Sequence, residues 1–218
     1  MTAKNPRTPP RALTAEPDDF VTYDRPLWRI HRLTGQYRQQ WNQMRMAGPL
    51  PQMRWDPHPE TSEASGTGPR SVSYAATDVL TAFAEVFHGR RRIVLSRHQG
   101  LVAWMPVRSL RLLDLTPPTA PGATSWSLRN GASASLDSAP KPTCRAWARA
   151  IAGTWPTDLD GLYVRSTVTG RPMVTLFAPG TTSFPTDPAF SRRLDDPAVA
   201  AMAVDISASL GWRPPVAR

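Results

Sequence analysis

Short runs of alternating apolar and polar residues, interrupted by three stretches with a period near 3.6, predict a mixed α/β chain. The clearest stretch is Val72 to His88, VSYAATDVLTAFAEVFH, where an apolar strand breaks at Tyr74 and passes into a helix ending at Gly89. Thr77 is the expected N-cap, Asp78 suits the positive end of the helix dipole, and Gly89 before Arg90, Arg91 and Arg92 reads as a stop. At about 100° per residue, Val79, Leu80, Phe83, Val86 and Phe87 share one apolar arc. Glu85 lies roughly opposite, so periodicity alone makes it a solvated carboxylate.

Before this unit, residues 1 to 24 mix proline, threonine and charge without a period and read as a flexible arm. LWRIHRL predicts a strand that sets Trp28 and Ile30 on one side and Arg29 and His31 on the other. Residues 34 to 46 fit either a helix or an irregular polar segment, and PHPETSEASGTGPR reads as a flexible loop. Past the central helix, RRRIVLSRH predicts one strand and LVAWMPVRSLRLLDLT one or two more. Residues 117 to 142, rich in Pro, Ala, Ser and Gly, read as an insertion on which Trp126 and Leu128 are docking candidates. A short helix capped by Thr143 should follow, then a hairpin of DGLYVRS and PMVTLFA turning at Gly170. A terminal helix is expected from an Asp195 or Asp196 cap to Gly211.

Composition narrows the classes. A chain of 218 residues with 20% charged residues is long enough for one well-buried domain, here expected over residues 25 to 218. The net charge of +9 is carried mostly by arginine, whose planar fork suits phosphates and carboxylates, so an anionic ligand or partner is expected. The single cysteine, Cys144, excludes an intrachain disulfide and a cysteine metal cluster and is expected as a buried structural thiol. His31, His58, His88 and His98 have no metal-ligand spacing, and no metal is expected. The N-terminal residues lack the apolar core of a signal peptide, and no run approaches the roughly 20 apolar residues of a membrane span. A cytoplasmic location is the expectation. No GxGxxG or Walker loop is present.

Four segments in order carry a resemblance: Trp28-Arg29-Ile30, Met53-Arg54-Trp55, the stretch from Val72-Ser73-Tyr74 to Ala84-Glu85-Val86, and Asp160-Gly161-Leu162-Tyr163-Val164-Arg165-Ser166. Spread from about residue 26 to 178, they resemble the RES-domain family, whose name records an arginine, a glutamate and a serine. Two departures bear on substrate affinity more than on fold. The family usually has glycines where this chain has Pro51-Gln52-Met53, and the 117 to 142 insertion lengthens the interval from Glu85 to Ser166.

The resemblance implies an ADP-ribosyltransferase-like α/β (α+β) fold of mixed and antiparallel sheets flanked by short helices. It implies NAD as a substrate split at the nicotinamide–ribose bond, by a toxin paired with a small helix-turn-helix (Xre-like) antitoxin. The acceptor would be water or inorganic phosphate, as in a glycohydrolase or phosphorylase, or a protein, as in an ADP-ribosyltransferase. The residue types suit this chemistry. Glu85 would stabilise a cationic, oxocarbenium-like ribose, and Arg29 and Arg54 would grip the pyrophosphate. Tyr74 would stack on the nicotinamide or donate to a ribose oxygen, and Ser166 would donate to the nicotinamide amide or a ribose hydroxyl. A homodimer is compatible with the sequence. The rival from another class is a basic nucleic-acid-binding module, motivated by the charge and by Trp28, Trp41, Trp55 and Trp126.

Overall fold

The computed structural model describes residues 4–60, 70–118 and 124–218. Most of the loop expected between His58 and Arg70, the centre of the insertion and the first three residues lie outside that range. The described chain has a large mixed sheet flanked by a few helices, in agreement with the mixed α/β reading. In chain order the strands are β1 (Phe20–Tyr23), β2 (Leu27–Arg32), β3 (Val72–Ala76), β4 (Arg92–Leu95), β5 (Gln99–Trp104) and β6 (Leu110–Asp114). They continue as β7 (Gly161–Arg165), β8 (Pro172–Phe177), β9 (Phe190–Arg193) and β10 (Arg213–Ala217). The helices are α1 (Val79–Phe87), the one-turn α2 (Trp126–Arg129), α3 (Lys141–Thr154) and α4 (Pro197–Ser209).

Eight strands form one sheet in the order β1-β6-β7-β8-β3-β2-β5-β9, while β10 pairs in parallel with β4 in a second, small sheet. Only β6 and β7 run parallel in the large sheet. One join in it is narrow: β2 meets β3 at a single residue pair, Trp28 with Ala76. On their other sides the two strands are fully laddered, β2 to β5 over six pairs and β3 to β8 over five. The sheet therefore opens at its middle.

Helix α1 packs Phe83 and Phe87 into a cluster with Ile93, Leu101, Val199 and Ala203, which joins it to β4, β5 and α4. Its N-cap is Asp78, whose carboxylate accepts from the Thr81 amide at 2.9 Å and the Thr81 hydroxyl at 2.8 Å. Thr77 does not cap the helix, because its hydroxyl donates to the Pro172 carbonyl at 2.9 Å. Val86 also leaves the expected apolar arc: it is exposed. A second cluster sets Trp126, Leu136, Cys144, Trp147 and Ile151 against Leu162 and Val164 of β7. Cys144 is buried there, as expected for a structural thiol.

Three local expectations are overturned. The arm is held down over its described part. Asn5 accepts from the Ser133 amide at 2.9 Å, Pro6 and Thr14 accept from the Trp147 and Trp126 indoles, and residues 20–23 are an antiparallel edge strand beside β6. Three of the side chains that anchor it lie more than 100 positions away, beyond the reach of a local pattern. The insertion is more than a loop, since α2 buries Trp126 while Leu128 stays largely exposed. Thr143 caps nothing, because α3 begins two residues earlier, after Pro140. Strands β9 and β10 were not legible, being short, exposed and rich in Arg or Pro; β10 contains Pro214 and Pro215.

The Asp160-Gly161 pair has a packing reason. Asp160 takes both terminal nitrogens of Arg108, at 2.8 and 2.6 Å, and the Arg111 amide at 2.9 Å, fixing the start of β7. A Cβ on Gly161 would overlap the Thr175 carbonyl oxygen on the neighbouring strand. Gly161→Ala is therefore expected to lower stability by about 3 kcal/mol or more, read as a fall in the denaturant midpoint at unchanged slope.

Candidate active site

Where β2 and β3 part, a cavity of about 570 Å³ opens, lined on one side by Trp28, Arg29 and Ile30 and on the other by Tyr74, Ala75 and Ala76. Its size lies within the roughly 300–1,000 Å³ usual for small-molecule sites. Glu85 and Val86 of α1, the segment from Gln52 to Trp55, and Val164, Arg165, Thr167 and Val168 of the β7–β8 hairpin complete much of the wall. Four of the five residues singled out from the sequence, Arg29, Arg54, Tyr74 and Glu85, thus line one space although they are distant in the chain.

Glu85 is partly buried rather than solvated. The helix face opposite the core is covered by the β7–β8 turn, which periodicity within α1 does not reveal. The Ser166 hydroxyl donates to Glu85 Oε1 at 2.6 Å. The same oxygen of Ser166 accepts the amides of Val168 at 3.1 Å and Thr169 at 3.0 Å. Its one proton is committed to the carboxylate and its lone pairs to the turn, so Ser166 orients Glu85 and has no spare donor for a ligand. Asp78 strengthens this join from the other end of α1: it holds Arg171 at 3.1 Å, and Thr81 meets Thr169 at 3.1 Å.

Arg29 is enclosed by neutral acceptors. It donates to Ser73 Oγ at 3.0 Å, to Gln39 Oε1 at 2.6 Å and to the carbonyls of Trp41 and Gln43, both at 3.3 Å. Residues 34–46 are irregular, and they supply this cage. Burial, with repulsion from Arg45, brings the guanidinium pKa down to about 10. It stays charged at neutral pH with no carboxylate beside it among the described residues, so it offers an anion field strength more than free donors. Arg54 donates to the Ala139 carbonyl and approaches Cys144 Sγ at 3.7 Å. It too has no acidic partner among the described residues.

Tyr74 presents its ring to the cavity, while its hydroxyl is buried without a hydrogen-bond partner among the described residues. Burial first, and then the nearby Asp56 charge, raise its pKa far above the usual phenol value, so it remains a neutral donor. Asp56 follows Trp55 directly and is fully buried. It accepts from Arg45 at 2.7 Å, His58 Nδ1 at 2.6 Å and the amides of Leu50 at 2.8 Å and His58 at 3.1 Å. Burial pushes its carboxyl upward, but the His58, Leu50 and Arg45 hydrogen bonds outweigh that and hold it well below the ordinary carboxylate range. This network stabilises the loop carrying Arg54, and sequence spacing gave no sign of it.

The insertion also reaches the cavity. Asp137 is buried and accepts from Arg165 Nε at 2.8 Å, Ala139 accepts from Arg54, and Lys141 lies in the wall. Among the described residues no group of three or more His, Cys, Asp or Glu is placed to hold a metal ion. No helix among them is long and apolar enough to cross a membrane.

A family model matches most of the chain. The RES domain model covers residues 26–195, and the chain belongs to the RES-domain family. Among solved structures, the M. tuberculosis MbcT–MbcA toxin–antitoxin complex contains a chain of similar fold, with a TM-score of 0.55 at 16% identity over 87% of this chain and 92% of that one. No curated protein matches.

The depressed Asp56 carboxyl fixes a sign for pH dependence. As pH falls below about 4, the unfolded chain binds the proton first, so the stability that Asp56 contributes is present at neutral pH and lost on the acid side. Asp56→Asn is expected to cost about 3–5 kcal/mol at pH 7 by stranding Arg45. It should also flatten the acid limb of a Tm-versus-pH curve; an unchanged limb would show that other carboxylates set it.

Proposed function

We propose that the protein consumes NAD by breaking the bond between nicotinamide and ribose. Support comes from one observation above all: a carboxylate, a phenol and two acid-free guanidinium groups share a cavity of ligand size, with a serine directing the carboxylate. Loss of nicotinamide builds positive charge on the ribose, and Glu85, held by Ser166, would face that charge or bind a ribose hydroxyl. Arg29 and Arg54 would offset the pyrophosphate, Arg29 through its uncompensated field and Arg54 by direct donation. Tyr74 would pack its ring on the nicotinamide or sugar. The chemistry needs no metal, because the leaving group departs as neutral nicotinamide. Water or inorganic phosphate would take the ADP-ribosyl group.

The likeness to a toxin chain in a toxin–antitoxin complex supports the role of a toxin restrained by a small antitoxin, an expectation that the RES family assignment shares. Transfer of ADP-ribose to a protein is the neighbouring activity, and labelled NAD separates it from simple turnover by leaving label on protein. Glu85→Gln is expected to reduce nicotinamide release by about 10²–10³-fold with NAD binding retained. Equal rates in the two proteins would remove the central assignment.

A further inference from the structure

Arg54 sits on irregular backbone, outside every strand and helix, so whatever holds the segment on either side of it decides where its guanidinium stands. Beyond Trp55 the hold is the Asp56 network. Before Arg54 it is Arg145 of α3, whose Nη1 donates to the Pro51 carbonyl at 3.1 Å and the Met53 carbonyl at 3.4 Å, one on each side of Gln52. Arg145 is buried, at 9% exposure, and makes no ion pair among the described residues. Burying an unpaired cation is costly, and an apolar side chain would pack α3 more cheaply. What the charge supplies is a pair of charge-assisted hydrogen bonds, each about twice as strong as a neutral one, to the backbone that leads into Arg54. Gln52, Met53 and Arg54 all line the cavity.

The residue before Arg145 acts on the same group from the other side. Cys144 Sγ donates to the Leu136 carbonyl at 3.4 Å and the Ala139 carbonyl at 3.3 Å, and Ala139 is the acceptor that takes Arg54. Two consecutive residues of α3 therefore fix both the backbone that carries Arg54 and the carbonyl that its guanidinium meets. From outside, α3 is fastened by the N-terminal arm. The Trp147 indole donates to the Pro6 carbonyl at 3.0 Å, and Leu13 packs in the cluster that holds Cys144 and Trp147. The arm precedes residues 26–195, the span the family model covers, so this support reaches the site from outside the domain.

We propose that Arg145 is a positioning residue for substrate binding: it sets the 51–53 backbone so that Arg54 meets the pyrophosphate, and the N-terminal arm keeps α3 in place for it. The proposal rests on the NAD-consuming reading for the identity of the ligand. Arg145 itself touches no substrate and acts only through Arg54.

The test uses the full chain carrying Arg145→Met, Arg145→Lys or Trp147→Phe. Nicotinamide release from NAD is measured beside calorimetric titration of ADP-ribose, a probe that carries the pyrophosphate and needs no turnover. Arg145→Met is expected to raise the KM for NAD and the Kd for ADP-ribose about tenfold with kcat within about twofold, the pattern of lost ground-state and transition-state binding alike. Arg145→Lys, whose ammonium still donates to carbonyls, should keep both within about threefold of wild type. In an Arg54→Ala background Arg145→Met should add less than about twofold, because the group it places is gone. Trp147→Phe keeps a ring in the cluster and drops the bond to Pro6; it should raise the Kd about threefold, and it carries the test should Arg145→Met fail to fold. A full effect of Arg145→Met in the Arg54→Ala background would overturn the proposal. So would a lowered melting temperature with an unchanged Kd, since a merely structural arginine or tryptophan moves stability alone, and so would a wild type that binds no ADP-ribose. A wild type that binds ADP-ribose but releases no nicotinamide would instead refute the NAD-consuming reading, with the titration still deciding the role of Arg145.

Discussion

Two strands that meet at one residue pair must put something else into the gap between them. Beyond Trp28 and Ala76, the facing edges of β2 and β3 carry backbone groups with no ladder to join, and such groups are costly to bury unpartnered. The chain fills the gap with side chains and irregular backbone. Arg29 reaches from β2 to Ser73 on β3, and the 39–43 segment closes over its guanidinium. The charge at the cavity is therefore part of what holds the sheet in its opened form.

The acid arrives from a different direction. Helix α1 would present Glu85 to solvent if it stood alone, but Asp78 and Thr81 at its start and Ser166 near its end tie it to the hairpin turn. A turn of six residues, 166–171, thereby sets both the tilt of the helix and the direction of the carboxylate. The cost is a serine hydroxyl with no donor left over. That division of labour separates orientation from contact with a ligand, a distinction invisible in the residue type.

Much of this was legible in the chain for physical reasons. Period-two alternation marked β2, β7 and β8, and a strong amphipathic arc with an Asp at its head marked α1 within two residues. The partnership of Arg29, Arg54, Tyr74 and Glu85 was reachable only through the family resemblance, because spacing along a chain carries no information about which loops close over which faces. Ser166 was identified as a residue but not in its geometry. The Asp56 network, Asp137 and Lys141 escaped notice because each depends on a partner whose position is set by the tertiary fold. Edge strand β1 was missed for the same reason: its four residues pair with β6, some 90 positions away.

The last strand shows how the molecule ends its smaller sheet. Pro214 and Pro215 deprive β10 of two amide donors, and the register slips between Arg213 and Val216 where they sit. A further strand seeking to dock along that border would find an interrupted row of donors on a kinked backbone flanked by arginine charge. The border is thus poorly suited to templating stacks of copies, a protection against runaway association at a place where the polypeptide is otherwise extended and uncovered.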